Sequence, residues 1–201
     1  MSNLSKVWRN NNIKSRHYAL LMLLTFICCL QVVCKFGISW QTITGCFLTY
    51  VLIVQSYIDL KYQIIPDEIT WPVLWIGIFF NLFGVFTELT TALLGAALGY
   101  LSLWLVYWMF FLATRKEGLG YGDFKLLAML GAWLGWKMLP LIILLSSLLG
   151  SIIGIMAVIF MQRKFNKRMP FGPFLAIAGW IALIWGKDIT TWYLRNYIGI
   201  W

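Results

Sequence analysis

Long apolar runs separated by short polar breaks set the frame of this chain. Apolar stretches cover 18–36, 41–58, 70–87, 91–113, 139–161 and 172–186, and a shorter one follows Asp123 as far as Gly135. The long runs suit α-helices that cross a hydrocarbon core of about 30 Å, a task for roughly 20 residues. The piece after Asp123 has only about a dozen, and at about 1.5 Å per residue it cannot cross unaided. It is expected either as a short helix lined by protein or as part of a tilted helix beginning near Gly122. The breaks carry turn signals: Gly37 and Trp40, a polar stretch at 59–70, a turn at 87–91, and Lys137-Met-Leu-Pro140. Glycines 118, 120 and 122 crowd the break before Asp123, and a basic loop with Arg163, Lys164, Lys167 and Arg168 precedes the last run. Pro66 and Asp67 predict the start of a helix, with Asp67 placed to cap its free N–H groups. No stretch shows the ten-residue alternation of a transmembrane barrel. The pattern predicts an all-α, polytopic helical bundle with about seven transmembrane segments.

Composition strengthens this reading. The chain is 61% hydrophobic and 11% charged, against about 25% charged in soluble domains. The net charge of +9 does not point to nucleic acid, because the basic residues sit at the ends of apolar runs. It points to membrane topology and contact with anionic lipid. Seven spans put the termini on opposite sides. With the N-terminus inside, twelve of the sixteen Lys and Arg residues fall on the inner side. The basic tail 1–17 is therefore cytoplasmic. The amphipathic, aromatic tail 187–201 is expected in the opposite interface. The first apolar run has no small-residue cleavage site after it and is expected as a retained helix. Glycines at four-residue spacing (95 and 99, 131 and 135, 150 and 154) read as close helix contacts. The four cysteines form no CxxC pair and the only histidine is His17, so zinc is not expected. They read as small apolar residues.

Candidate chemistry is confined to the acids, of which there are seven. Glu88 and Asp188 fall on the outer side. Asp67, Glu68 and Glu117 lie in polar loops, where solvation or capping is the ordinary role. Asp59 ends a long apolar run and Asp123 begins the short one, and the topology puts both at the cytoplasmic face. An acid so close to a membrane segment needs a reason. Two neighbouring carboxyls cannot both ionise cheaply, so one holds a proton while the other does not. Such a pair can activate a water and protonate a leaving amine, as peptide hydrolysis requires. No competing apparatus is present: no paired serine and histidine, no HExxH and no phosphate-binding GxxxxGK[ST]. At this level two readings stay open. Asp59 and Asp123 form a catalytic pair, or they cap helices or pair with Lys61 and Lys125.

Longer motifs add a resemblance. Tyr57-Ile-Asp-Leu-Lys-Tyr-Gln-Ile-Ile-Pro-Asp67, followed by Trp71-Pro-Val-Leu-Trp-Ile-Gly77 and Asn81, resembles the first signature of type IV prepilin peptidases. The stretch from Glu117 to Trp136 resembles the second, the GxGD motif, here Gly120-Tyr-Gly-Asp123. Pro140, Ser146, Ser147, Gly150 to Gly154 and Pro170-Phe-Gly-Pro173 continue the likeness, over roughly residues 45–185. The resemblance implies a membrane aspartyl protease of the GxGD fold in the bacterial inner membrane. Such an enzyme cuts the basic leader from prepilins or type II secretion pseudopilins, after a glycine and before the pilin's apolar helix. It implies Asp59 and Asp123 as the catalytic pair. Gly120, Gly122, Lys125, Pro66, Asp67 and Glu117 become candidate motif or substrate-binding residues. The expected organisation is a cytoplasmic tail 1–17, a transmembrane peptidase domain 18–186 and a periplasmic-side tail 187–201.

Longer members of that family carry a cysteine-rich, zinc-binding insert and methylate the new pilin N-terminus with S-adenosylmethionine. This sequence shows no such CxxC pairs and resembles the short form. Peptidase activity without any required cofactor is the expectation, and S-adenosylmethionine is left open. The alternatives are the same peptidase with methyltransferase activity, a GxGD protease acting on other membrane proteins, and a non-enzymatic channel or assembly scaffold.

Overall fold

The structure is a computed structural model that describes residues 15–115, 120–161, 170–193 and 195–196. Among these residues it is all-α. Seven helices follow in order: α1 Ser15–Phe36, α2 Trp40–Tyr62, α3 Asp67–Leu82, α4 Leu89–Thr114, α5 Tyr121–Leu134, α6 Leu139–Met161 and α7 Gly172–Tyr193. A single 3-10 turn, Trp136–Met138, joins α5 to α6. Four spans are long and apolar enough to cross a membrane: Trp40–Tyr62, Leu89–Thr114, Trp136–Ala157 and Gly172–Tyr193. The last helix runs past the expected end near 186 to Tyr193. Lys187 and Asp188 are exposed within it, and Asp188 pairs with Lys35 at the end of α1.

The helix boundaries follow from the local sequence. Ser39 caps α2, its hydroxyl accepting from the Thr42 N–H at 3.3 Å, as a short polar side chain does at a helix start. The helix stops where Gln63 takes a left-handed conformation, φ 54°. Four residues, 63–66, then lead to α3. Pro66 is the residue before its first turn, at φ −70° and ψ 126°, an extended conformation that its ring favours. Asp67 is already inside the helix and no side chain caps it. The capping role expected for Asp67 is therefore not taken up.

The short helix α5 is the centre of the molecule. Every residue from Phe124 to Trp133 except Lys125 is buried. Its neighbours are α3, α4 and α7, with α4 closest. It is a separate short helix wrapped in protein rather than a piece of a longer tilted one. The expected glycine contacts explain part of this. A Cβ on Gly95 would fall on the Gly131 carbonyl, and one on Gly131 would fall on that of Gly95. The α4 and α5 backbones thus meet with no side chain between them, the contact that small residues permit in membranes. Gly150 differs: a Cβ there would meet Phe171 and Phe174 at an ordinary 3.4 Å.

Two buried side chains lock the far end of α5. Asn81 donates to the carbonyls of Ala132 (2.8 Å) and Trp133 (3.0 Å). Its Oδ1 accepts from the N–H groups of Phe86 (3.1 Å) and Thr87 (3.2 Å). The polar residue inside the third apolar run thus caps one helix and ties down the next turn. Trp133 packs its indole against Gly77 and donates its indole N–H to the Val73 carbonyl at 2.9 Å. The other end of α5, with Asp123 in its first turn, opens toward the start of α7 and the end of α2.

Candidate active site

Asp59 lies in the last turn of α2 and Asp123 in the first turn of α5. The structure brings both to the same end of the bundle. Both are buried, at 5% and 6% exposure. Neither forms an ion pair among the described residues. Lys125, the suggested partner of Asp123, turns away to Asp67, and the Lys61 ammonium lies over the rings of Tyr57 and Tyr62.

Each carboxyl is held by a helix N-terminus. Oδ2 of Asp123 accepts from the Gly120 N–H at 3.1 Å, at the start of its own helix. Oδ2 of Asp59 accepts from the Gly172 N–H at 3.0 Å, at the start of α7. The first N–H groups of a helix have no partner inside it, and they favour a negative group. One oxygen of each carboxyl is thereby fixed, and Oδ1 of each stays outside these two bonds. Capping and catalysis, the two readings left open by the sequence, are here compatible: the caps orient the pair.

Ile65 joins the two halves. It is 8% exposed and stands in the short 63–66 connection. A Cβ on Gly122 would lie 2.8 Å from Ile65 Cβ, and one on Gly172 would lie 3.1 Å from Ile65 Cδ1 and 2.6 Å from Asp59 Oδ2. Gly122 and Gly172 are glycines because Ile65 and Asp59 occupy the space a side chain would need. Gly120 is under no such constraint. Its φ is −85°, and a Cβ there would meet Asp123 Oδ2 at an ordinary 3.4 Å. Of the two described glycines of the cluster, it is Gly122 that serves close approach; Gly118 lies outside the described residues.

The remaining candidates flank the pair. Both carboxylate oxygens of Asp67 lie 2.7 Å from the Lys125 ammonium, which fastens the start of α3 to the second turn of α5. Pro66 offers its carbonyl to the Thr70 hydroxyl at 2.9 Å, and that hydroxyl accepts from Gln55 Nε2 at 2.9 Å. Gln55 is buried one turn before Asp59, so this chain of bonds clamps α2 to α3 beside the site. Glu117 lies outside the described residues.

Gly172, Ile65 and Gln55 are the residues that sequence reasoning did not single out as part of the site. Pro170-Phe-Gly-Pro173 was the one signal for Gly172; Ile65 and Gln55 gave none. No group of three or more His, Cys, Asp or Glu side chains fit to hold a metal ion occurs among the described residues.

Long apolar helices around a buried, backbone-anchored carboxylate pair define a membrane-type helical protein with a candidate acid–base centre at one end. The comparisons name the family. The chain belongs to the type IV leader peptidase family, whose model matches residues 46–155. It is 50% identical over 184 residues to a prepilin leader peptidase/N-methyltransferase of Aeromonas hydrophila, covering 92% of this chain and 63% of that protein. It is 51% identical over 180 residues to the protein of the same name from Pseudomonas aeruginosa, covering 90% of this chain and 62% of that one. The chain thus spans a little under two thirds of the length of these relatives. No solved structure matches it.

Proposed function

We propose that this chain is an aspartyl endopeptidase that removes the leader of prepilins or pseudopilins, cutting after a glycine at the cytoplasmic face of the bacterial inner membrane. The observation that carries the reading is the convergence of Asp59 and Asp123, from α2 and α5, each fixed by a helix N-terminal N–H. In this reading the chain crosses the membrane about seven times, with its N-terminus cytoplasmic and most of its basic residues on the inner side.

The two carboxyls act as one unit across a bound water. The ionised carboxylate takes a proton from the water as the water oxygen attacks the carbonyl carbon of the leader's terminal glycine. The protonated carboxyl gives its proton to the carbonyl oxygen. Collapse of the gem-diol intermediate breaks the C–N bond: the proton gained from water passes to the departing amine, and the other carboxylate takes back a proton from a gem-diol hydroxyl, which leaves the new carboxylic acid and restores a pair with one proton. The individual roles belong to the pair and not to either residue. Burial matters because a water-poor site strengthens each of these charge interactions. The step calls for no metal.

Co-expression with a prepilin tests this by a size shift on a gel. Asp59→Asn and Asp123→Asn should each abolish processing while the protein stays in the membrane. Normal processing by either variant would refute the pair, and would favour a channel or scaffold in which these acids are structural. Cleavage of membrane proteins without a pilin-type leader would point to a different GxGD protease. Methyl transfer is a second reading, favoured only by the names of the relatives. It is checked by supplying S-adenosylmethionine with a labelled methyl group and looking for label on the mature pilin N-terminus.

A further inference from the structure

α1 packs along α2, and α2 along α7, yet α1 and α7 scarcely touch. The gap between them is a groove of about 330 Å³. Its floor is one face of α2 from Thr49 to Leu60, roughly three helical turns or about 16 Å. Leu24 and Cys28 form one wall, and Pro173, Ile177 and Trp180 the other. The hydroxyls of Thr49 and Ser56 donate back to Gly45 and Leu52 carbonyls of their own helix. The lining therefore presents carbon to whatever lies in it.

One end of the groove reaches the site. Leu60 and Tyr57 flank Asp59 in sequence, and Pro173 follows the glycine whose N–H holds the Asp59 carboxylate.

We infer that this groove seats the apolar helix of the substrate, the segment that follows the scissile bond. The inference rests on the leader-peptidase reading. A bond held at Asp59 and followed directly by a helix has this apolar track on which to lay that helix, with one face inward and the other toward lipid. Helix-in-groove docking reads side chains at three- and four-residue spacing, the spacing shown by the α2 floor. A lipid acyl chain fits the same carbon surface but is not tied to the site, whereas the segment after the scissile bond begins beside Asp59, where the groove opens.

The test uses the full chain in lipid nanodiscs and two synthetic peptides. Both carry a basic leader ending in glycine. One continues into an apolar helix of about 20 residues and the other into a short polar segment. Leu24 and Ile177 are 48% and 47% exposed, so Leu24→Trp and Ile177→Trp add bulk to the groove without overfilling the core. Each should lower kcat/KM for the helical peptide at least about tenfold more than for the short one, with the difference carried by KM. A photo-crosslinking residue at 177 should label the helical peptide. Equal effects on both peptides, or a photo-adduct with lipid only while the peptide is in excess, would overturn the groove. If the unaltered protein cleaves neither peptide, the leader-peptidase reading fails and the groove falls with it. If it cleaves both and the tryptophan variants match it, only the groove fails.

Discussion

Gly172→Ala is the sharpest test of how the pair is held. The added Cβ would lie 2.6 Å from Asp59 Oδ2, about 0.8 Å inside an ordinary contact of 3.4 Å, and 3.1 Å from Ile65 Cδ1. Ile65 is buried and leaves little room on that side. The carboxylate must therefore move, and it gives up the 3.0 Å bond from the residue 172 N–H. A hydrogen bond to a charged group contributes about 1.5–3 kcal/mol. A reacting group displaced by about 1 Å can cost roughly a hundredfold in rate. Gly172→Ala should therefore lower kcat/KM for leader cleavage by about two orders of magnitude. The protein should still accumulate in the membrane, because the strain is confined to one side chain and one bond. The assay is cleavage of a purified prepilin followed on a gel over time, with Gly120→Ala as the control. That control places its Cβ at an ordinary 3.4 Å from Asp123 Oδ2 and should stay within a few-fold of the unaltered protein. A Gly172→Ala rate within about threefold of the unaltered protein would refute the argument that Asp59 depends on this glycine.

Three further outcomes follow from the same geometry. Gly122→Ala puts a Cβ 2.8 Å from Ile65 Cβ and should lose most activity where Gly120→Ala does not; similar rates for the two would show that Ile65 yields. The Asp67–Lys125 pair is partly exposed, so Asp67→Ala should cost no more than about 1 kcal/mol of stability in a thermal melt, and reversing both charges together should recover part of any loss; complete loss of processing on Asp67→Ala would make it a residue of the reaction. Asn81→Ala strands two carbonyls and two N–H groups at the end of α5 and should destabilise by about 2–4 kcal/mol, read as a lower melting temperature or reduced accumulation.

Much of this was legible from apolar periodicity. Each apolar run became a helix, and the two acids that stand at run ends came to the same end of the bundle. What hydropathy could not say is which helix lies in the middle. In a membrane, apolarity reports contact with lipid as well as burial. Helix α6 is almost wholly apolar, yet Leu144, Ile155 and Phe160 are exposed. Helix α5 carries Asp123, Lys125 and two glycines, yet it is the core. The partners of the acids were also hidden. Gly172 lies 113 residues from Asp59, and nothing local to either residue announces the bond. Asp67 sits where a cap is expected, but Lys125, 58 residues later, offers a stronger partner than the N–H groups beside it.

The four-residue connection 63–66 has a consequence for how this protein can change over time. Surface connections ordinarily absorb insertions and deletions with little effect. This one holds Ile65, whose side chain meets both Gly122 and Gly172. One residue more or fewer would withdraw that side chain from both glycines at once. The connection therefore works as a length gauge for the candidate site: neither its length nor the residue at 65 can change without moving that contact.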